Sequence, residues 1–131
     1  MTRVAVLDDY QQVASALAPW ASLPEGSAVE FFHDHEDDEA LLAARLGSFD
    51  VIVAMRERTP FTRSLLKRLP KLRLLVTTGL RNAAIDVAAA KERGIMVCGS
   101  DGAKHPTAEL AIGLMIDLAR NISFENARMK A

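Results

Sequence analysis

The sequence predicts an α/β fold, a flavodoxin-like doubly wound five-stranded parallel sheet in the order 2-1-3-4-5 with a long C-terminal helix, and three observations carry that prediction. Short, largely apolar runs at residues 4–7, 29–32, 49–54, 74–76 and 95–98 have the composition of strands in a covered parallel sheet. Segments with helical spacing or capping signals separate them, so strands and helices alternate along the chain. Right-handed crossovers between such strands favour the stated order, which puts the switch point between the first and third strands.

The first strand, VAVL, closes on Asp8 and Asp9, and QQVASALAPW after it has helical spacing until Pro19 interrupts it. Pro24, Glu25 and Gly26 supply turn chemistry before the second strand. The acid-rich stretch of residues 33–39 then leads into ALLAARLG, where acids in the first turn complement the helix dipole and Gly47 ends the helix. After the third strand, residues 55–60 form a polar loop. Thr62 can cap a short helix with an apolar stripe of Leu65, Leu66 and Leu69, ended by Pro70.

Residues 72–100 make one strand–loop–helix–strand unit. The fourth strand turns polar at Thr77, Thr78 and Gly79, Asp86 suits a helix N-cap, and Gly94 sits where a left-handed residue would end the alanine-rich helix. In such units the loops at the carboxyl ends of the strands face the ligand. The crevice is therefore expected to be rimmed by Asp8 and Asp9, by residues 55–59 and by residues 77–82.

Composition excludes several classes. With 131 residues, half of them hydrophobic, the chain can bury a core of its own. A formal net charge of -1 without a basic block argues against a nucleic-acid partner. No apolar run is long enough for a signal peptide, and Glu109 and Asp117 break the most apolar later segment, so no membrane span is expected. The single Cys98, inside an expected buried strand, suits a structural thiol in a cytoplasmic protein.

Pro106 fits the first turn of a last helix that nothing in the sequence breaks before Ala131. At 1.5 Å per residue it would run on the order of 36 Å, against a gyration radius of about 14 Å for a chain this size, so part of it would overhang. Leu110, Leu114, Met115, Leu118 and Ile122 give it a broad apolar face. The expected division is a domain over residues 1–104 and a long interdomain helix over residues 105–131, a helix made to enter something else.

Two stretches, LVTTGLRNAAIDVAAAKERGIMVCGS and HPTAELAIGLMIDLARNI, together with RTPFTRSLLKRLPKLRLL, resemble the amino-terminal, substrate-binding part of the D-isomer-specific 2-hydroxyacid dehydrogenases. The resemblance covers essentially the whole chain. It implies a flavodoxin-like lobe joined by a long helix to a Rossmann domain that binds NAD or NADP, with hydride transfer between nicotinamide and C2 of a small 2-oxo or 2-hydroxy acid, and a homodimer. It implies that the amides of Thr78, Gly79 and Leu80 hold the substrate carboxylate, that Arg56 reaches the substrate, and that Thr107 lies beside the nicotinamide. The family's catalytic Arg, acid and His fall beyond Ala131. Nor do the seven glycines form a G-x-G-x-x-G. The chain alone is therefore expected to be a truncated, inactive substrate-binding lobe.

Residue chemistry agrees in part. A carboxylate needs converging N–H donors or an Arg, and a glycine lets backbone amides approach closely. A phosphoacceptor receiver domain is the rival of another class: Asp8 and Asp9 would bind Mg²⁺, Thr77 or Thr78 would follow the phosphoryl group, and Lys104 would neutralise it. It lacks the aspartate required at the end of the third strand, where Met55, Arg56 and Glu57 stand. A stand-alone ligand-binding module dimerising through its last helix is a third reading. The histidines and acids of residues 33–39 have no defined metal geometry and suit a solvated helix start, while Arg81 and His105 are expected to be structural or exposed.

Overall fold

The computed structural model describes residues 1–102 and 105–130. Strands β1 (Arg3–Val6), β2 (Ala28–Phe31), β3 (Val51–Ala54), β4 (Leu74–Thr77) and β5 (Met96–Gly99) form one parallel sheet in the order β2-β1-β3-β4-β5. That is the predicted order. Because side chains alternate along a strand, register assigns each residue to a face. Ala5, Ile52, Leu75 and Val97 lie in one row, and Val4, Val51, Leu74 and Met96 in the row of opposite orientation.

The first face is the core. Helices α2 (Glu39–Leu46), α3 (Arg63–Lys67) and α4 (Val87–Glu92) cover it with buried Leu42, Leu46, Leu65, Leu66, Ala89 and Ala90. Their starts are those the sequence indicates: the carboxylate of Asp38 accepts from the Ala40 and Leu41 amides, Thr62 Oγ1 from Leu65, and Asp86 from Ala89. Gly94, at φ +71°, ends α4 in the left-handed region. Gly47 also ends its helix, but with ordinary right-handed geometry at φ -60°.

The second face is covered only in part. Helix α1 (Ala14–Leu17) is a single turn, much shorter than its spacing suggests, and a 3-10 turn at Trp20–Ser22 stacks Trp20 edge-on to Phe31. These cover β1 and β2, so Val4 and Val6 are buried, but exposure grows along the row until Met96 on the edge strand is 64% exposed. Cys98 shares that fate. The thiol expected to be buried is exposed, because β5 is an edge strand and the helix after it leaves the sheet instead of folding back.

The final helix is two helices. Helix α5 (Pro106–Arg120) stops at Asn121, which takes φ +54°, and α6 (Ile122–Lys130) starts anew with Asp117 accepting from the Ser123 amide and hydroxyl at 2.7 and 2.8 Å. Asparagine tolerates the left-handed region, so the break carries neither of the Gly or Pro signals a sequence scan registers. No residue of α5 is buried, and Leu110, Leu114, Met115 and Leu118 all face solvent. Among the described residues no helix is long and apolar enough to cross a membrane.

Candidate functional site

The carboxyl ends of β3, β4 and β5 and the start of α5 enclose an open cleft of about 430 Å³, lined by Arg56, Thr78, Gly79, Leu80, Ser100, Asp101, Gly102 and Pro106. Three positions in and beside it shape the loops that form it. Gly79 takes φ +115°, a region L side chains rarely enter, and so turns the chain sharply at the end of β4. Arg56 takes φ +57° at the end of β3, which directs its guanidinium back over the loop of β4; Nη1 stands 3.8 Å from the point a Gly79 Cβ would occupy. Gly99 is the third. A Cβ there would fall 2.5 Å from the Gly79 carbonyl oxygen and 3.0 Å from Leu80 Cα, so the two loops touch only because position 99 is glycine.

The amides at this turn are not equivalent. That of Thr78 donates to Ala54 O at 3.1 Å, continuing the sheet ladder, and that of Gly79 donates to Ser100 Oγ at 3.2 Å. Among the described residues the Leu80 N–H has no protein acceptor. Of the three donors the resemblance implies, Thr78 is thus already committed, Leu80 is open among the described residues, and Gly79 can exchange a hydroxyl for a stronger anionic acceptor. Asn82 fixes the loop from behind: its Nδ2 donates to Arg56 O at 2.6 Å and Thr77 Oγ1 at 2.8 Å, while Oδ1 accepts from the Ala84 amide.

Arg56, Thr78, Gly79 and Leu80 therefore meet in one cleft, as their positions in the sequence suggest. Thr107 does not line it: it is exposed on the first turn of α5, one residue beyond Pro106. Sequence reasoning placed Asn82 only on the rim of the crevice and gave no role to Gly99 or Ser100. The signal was available in the strand order, since adjacency of β4 and β5 places the loop after Gly99 against the loop after Thr77. Arg81 is exposed, and so is His105, which makes no side-chain cap to α5.

The acids after β1 do not rim an open crevice. Asp8 and Asp9 are each 2% exposed and fully engaged. Asp9 accepts from the amides of Val13 and Ala14, and Asp8 receives His35 Nδ1 at 2.7 Å and Thr59 Oγ1 at 2.6 Å. This removes the acid pair the receiver reading required, and β3 ends in Ala54, Met55 and Arg56 without an acceptor aspartate. Lys104, its third component, lies outside the described residues. Among those described, no group of His, Cys, Asp and Glu is arranged to hold a metal.

The hydrogen bond that His35 Nδ1 donates to the Asp8 carboxylate raises the pKa of His35 above the ordinary imidazole value, with Asp37 contributing further. A pKa higher in the folded than in the unfolded chain adds stability that is complete below about 6.5 and is lost as pH rises through the raised value. The melting temperature should accordingly be higher at about pH 6 than at about pH 8. In His35→Gln that difference should shrink, as thermal melts followed by circular dichroism at the two pH values would show.

The sequence profile of the family described as D-isomer specific 2-hydroxyacid dehydrogenase, catalytic domain, matches residues 4–129. The chain is 32% identical over 129 residues to a hydroxypyruvate reductase of Thermotoga maritima, covering 98% of this chain and 40% of that protein. It is 37% identical over 90 residues to a D-3-phosphoglycerate dehydrogenase of Methanocaldococcus jannaschii, 68% of this chain and 17% of that one. Among solved structures, a phosphoglycerate oxidoreductase from Vibrio cholerae superposes with a TM-score of 0.82 at 36% identity, over 98% of this chain and 41% of that one. The chain thus spans about two fifths of the length of the first and third of these relatives, and less of the second.

Proposed function

Because this chain belongs to the D-isomer specific 2-hydroxyacid dehydrogenase family, we propose that it is the substrate-gripping lobe of an NAD(P)-dependent oxidoreductase interconverting 2-oxo acids and D-2-hydroxy acids. One observation carries the reading: the Leu80 amide, without a partner among the described residues, the exchangeable Gly79 amide and the Arg56 guanidinium converge on one open cleft at the strand ends. Two N–H donors and a fixed cation suit a carboxylate. Asp101 lines the same cleft, so an entering anion depends on Arg56 to offset a carboxylate already present.

The dinucleotide does not fit these residues. Pyrophosphate needs free amides at the turn after the first strand, with a helix behind them. Here that turn holds two buried carboxylates, Asp9 already caps the Val13 and Ala14 amides, and α1 is a single turn. No step of the reaction is assigned to the cofactor within this chain, and the lobe alone should bind the acid weakly and catalyse no hydride transfer. The relatives named as hydroxypyruvate and phosphoglycerate enzymes make a small 2-oxo or 2-hydroxy acid the expected substrate class. The exposed apolar residues of α5 support a homodimer, and the family a cytoplasmic setting.

The test is a titration of the ¹⁵N-labelled 131-residue chain with hydroxypyruvate, followed by NMR. The Gly79 and Leu80 amides and the Arg56 Nε–H should shift together. Arg56→Gln should weaken the binding by about tenfold, the worth of a hydrogen bond to a charged group. Shifts confined to other parts of the sheet, or an unaltered affinity in Arg56→Gln, would remove the cleft from the reading.

A further inference from the structure

The Arg56 side chain reaches the cleft from a backbone held in the left-handed region, a conformation that is strained for a non-glycine residue. Something must impose that conformation. On one side of Arg56 its amide donates to Thr78 Oγ1 at 3.0 Å and its carbonyl accepts from Asn82. On the other side the loop is tied down by Arg58 and Thr59, and both ties end on one residue. Thr59, 2% exposed, donates its hydroxyl to Asp8 Oδ2; Arg58 donates Nη1 to the Asp8 carbonyl and lays its guanidinium 4.5 Å from the centre of the Tyr10 ring.

Asp8 is unusual in its own right. It sits at φ +57° at the end of β1, buried, and its other carboxylate oxygen receives His35 Nδ1 from the loop between β2 and α2, with Tyr10 OH at 3.5 Å. A buried carboxylate is costly unless hydrogen-bonded. Here donors arrive from the β1–α1, β2–α2 and β3–α3 connections at once, so the carboxylate makes those three loops a single body. None of these residues lines the cleft.

We propose that Asp8 is a positioning residue: through Thr59 and Arg58 it clamps the loop after β3 and so holds Arg56 in the conformation that presents its guanidinium to the Gly79 turn. The inference builds on the proposed function only in taking that guanidinium to meet an anion. The clamp itself is a property of the free chain. Charged groups around His35, which completes the clamp, are Asp8 at the end of β1, Asp37 beside Nε2 at 3.2 Å, and Glu36 and Glu39 around the same hollow, with Arg58 and Tyr10 on the far side of Asp8.

The experiment measures the mobility of the Arg56 Nε–H by ¹⁵N relaxation in the ligand-free chain, then repeats the hydroxypyruvate titration. Thr59→Val keeps the shape and removes the donor, Thr59→Ser restores the donor, and Arg58→Met cuts the second tie at an exposed position where folding is not at stake. The expected result is a rigid Arg56 Nε–H in the unmodified chain and in Thr59→Ser, and a mobile one in Thr59→Val and, to a lesser degree, in Arg58→Met. The affinity for hydroxypyruvate should fall by about fivefold in Thr59→Val while the Gly79 and Leu80 amides still shift, the worth of roughly one neutral hydrogen bond. Equal rigidity of Arg56 in all four chains overturns the clamp, and if Thr59→Val does not fold, Arg58→Met alone decides. Absence of any hydroxypyruvate shift in the unmodified chain counts against the proposed function and leaves the relaxation result to judge the clamp.

Discussion

Gly99→Ala should distort the cleft and cost about 1–3 kcal/mol, the usual range for a group forced into filled space. The new methyl would lie 2.5 Å from the Gly79 carbonyl oxygen, 3.0 Å from Leu80 Cα and 3.3 Å from the Gly79 carbonyl carbon. All three neighbours are backbone, so no side-chain rotation relieves the clash. Either the loop after β4 lifts away from β5, breaking the Gly79 N–H to Ser100 Oγ bond, or the pairing of Thr77 with Gly99 opens. Both routes misplace the amides of Gly79 and Leu80. Urea denaturation should therefore give a lower midpoint, and hydroxypyruvate should no longer shift those two amides. Gly102→Ala is the matched control: it lines the cleft, has no described neighbour within 4 Å of its would-be Cβ, and should change either measurement little. If Gly99→Ala keeps both stability and the amide shifts, the contact between the two loops does not shape the site.

How much of this is legible in the chain follows from the range of the interactions. The sheet was legible, because each strand is a local apolar run and the crossover rule orders the runs with no knowledge of contacts. So were the caps at Thr62 and Asp86, where one side chain meets an amide three residues on. What escaped was set at a distance. Asp8 and Asp9 look like solvent-facing acids beside a strand end, yet one meets Thr59, 51 positions away, and the other is consumed capping the turn after it. Cys98 looks buried because MVCG is apolar, and is exposed because no helix returns over β5. Gly99 looks like an ordinary loop glycine until β4 and β5 are placed side by side. The cleft was thus locatable from strand ends, while the residues that shape it required the pairing of those strands.

Phe61→Ala should be the most damaging single truncation, at about 3–5 kcal/mol against a typical total of about 5–15 kcal/mol. Phe61 is fully buried and among the largest core side chains. Its backbone does a second job, bridging in parallel to Ile85: its amide donates to Ala84 O at 2.8 Å and its carbonyl accepts from the Asp86 amide at 3.0 Å. Those partners lie between Asn82, which fixes Arg56 and Thr77, and Asp86, which caps α4. The ring thus anchors the far end of the segment whose near end is the Gly79 turn. With the ring gone the bridge has no packing beneath it, so the loss should spread from core to cleft. Urea melts should show a lowered midpoint with unchanged slope, as expected when stability rather than compactness is lost. Amide exchange at Ile85 and Asp86 should accelerate more than at Ile52, on the central strand. Phe61→Leu, which refills most of the volume, should cost no more than about 1.5 kcal/mol and keep exchange slow. An alanine variant with exchange accelerated evenly across the sheet would show that Phe61 supports the core alone, and that the loop after β4 is held from elsewhere.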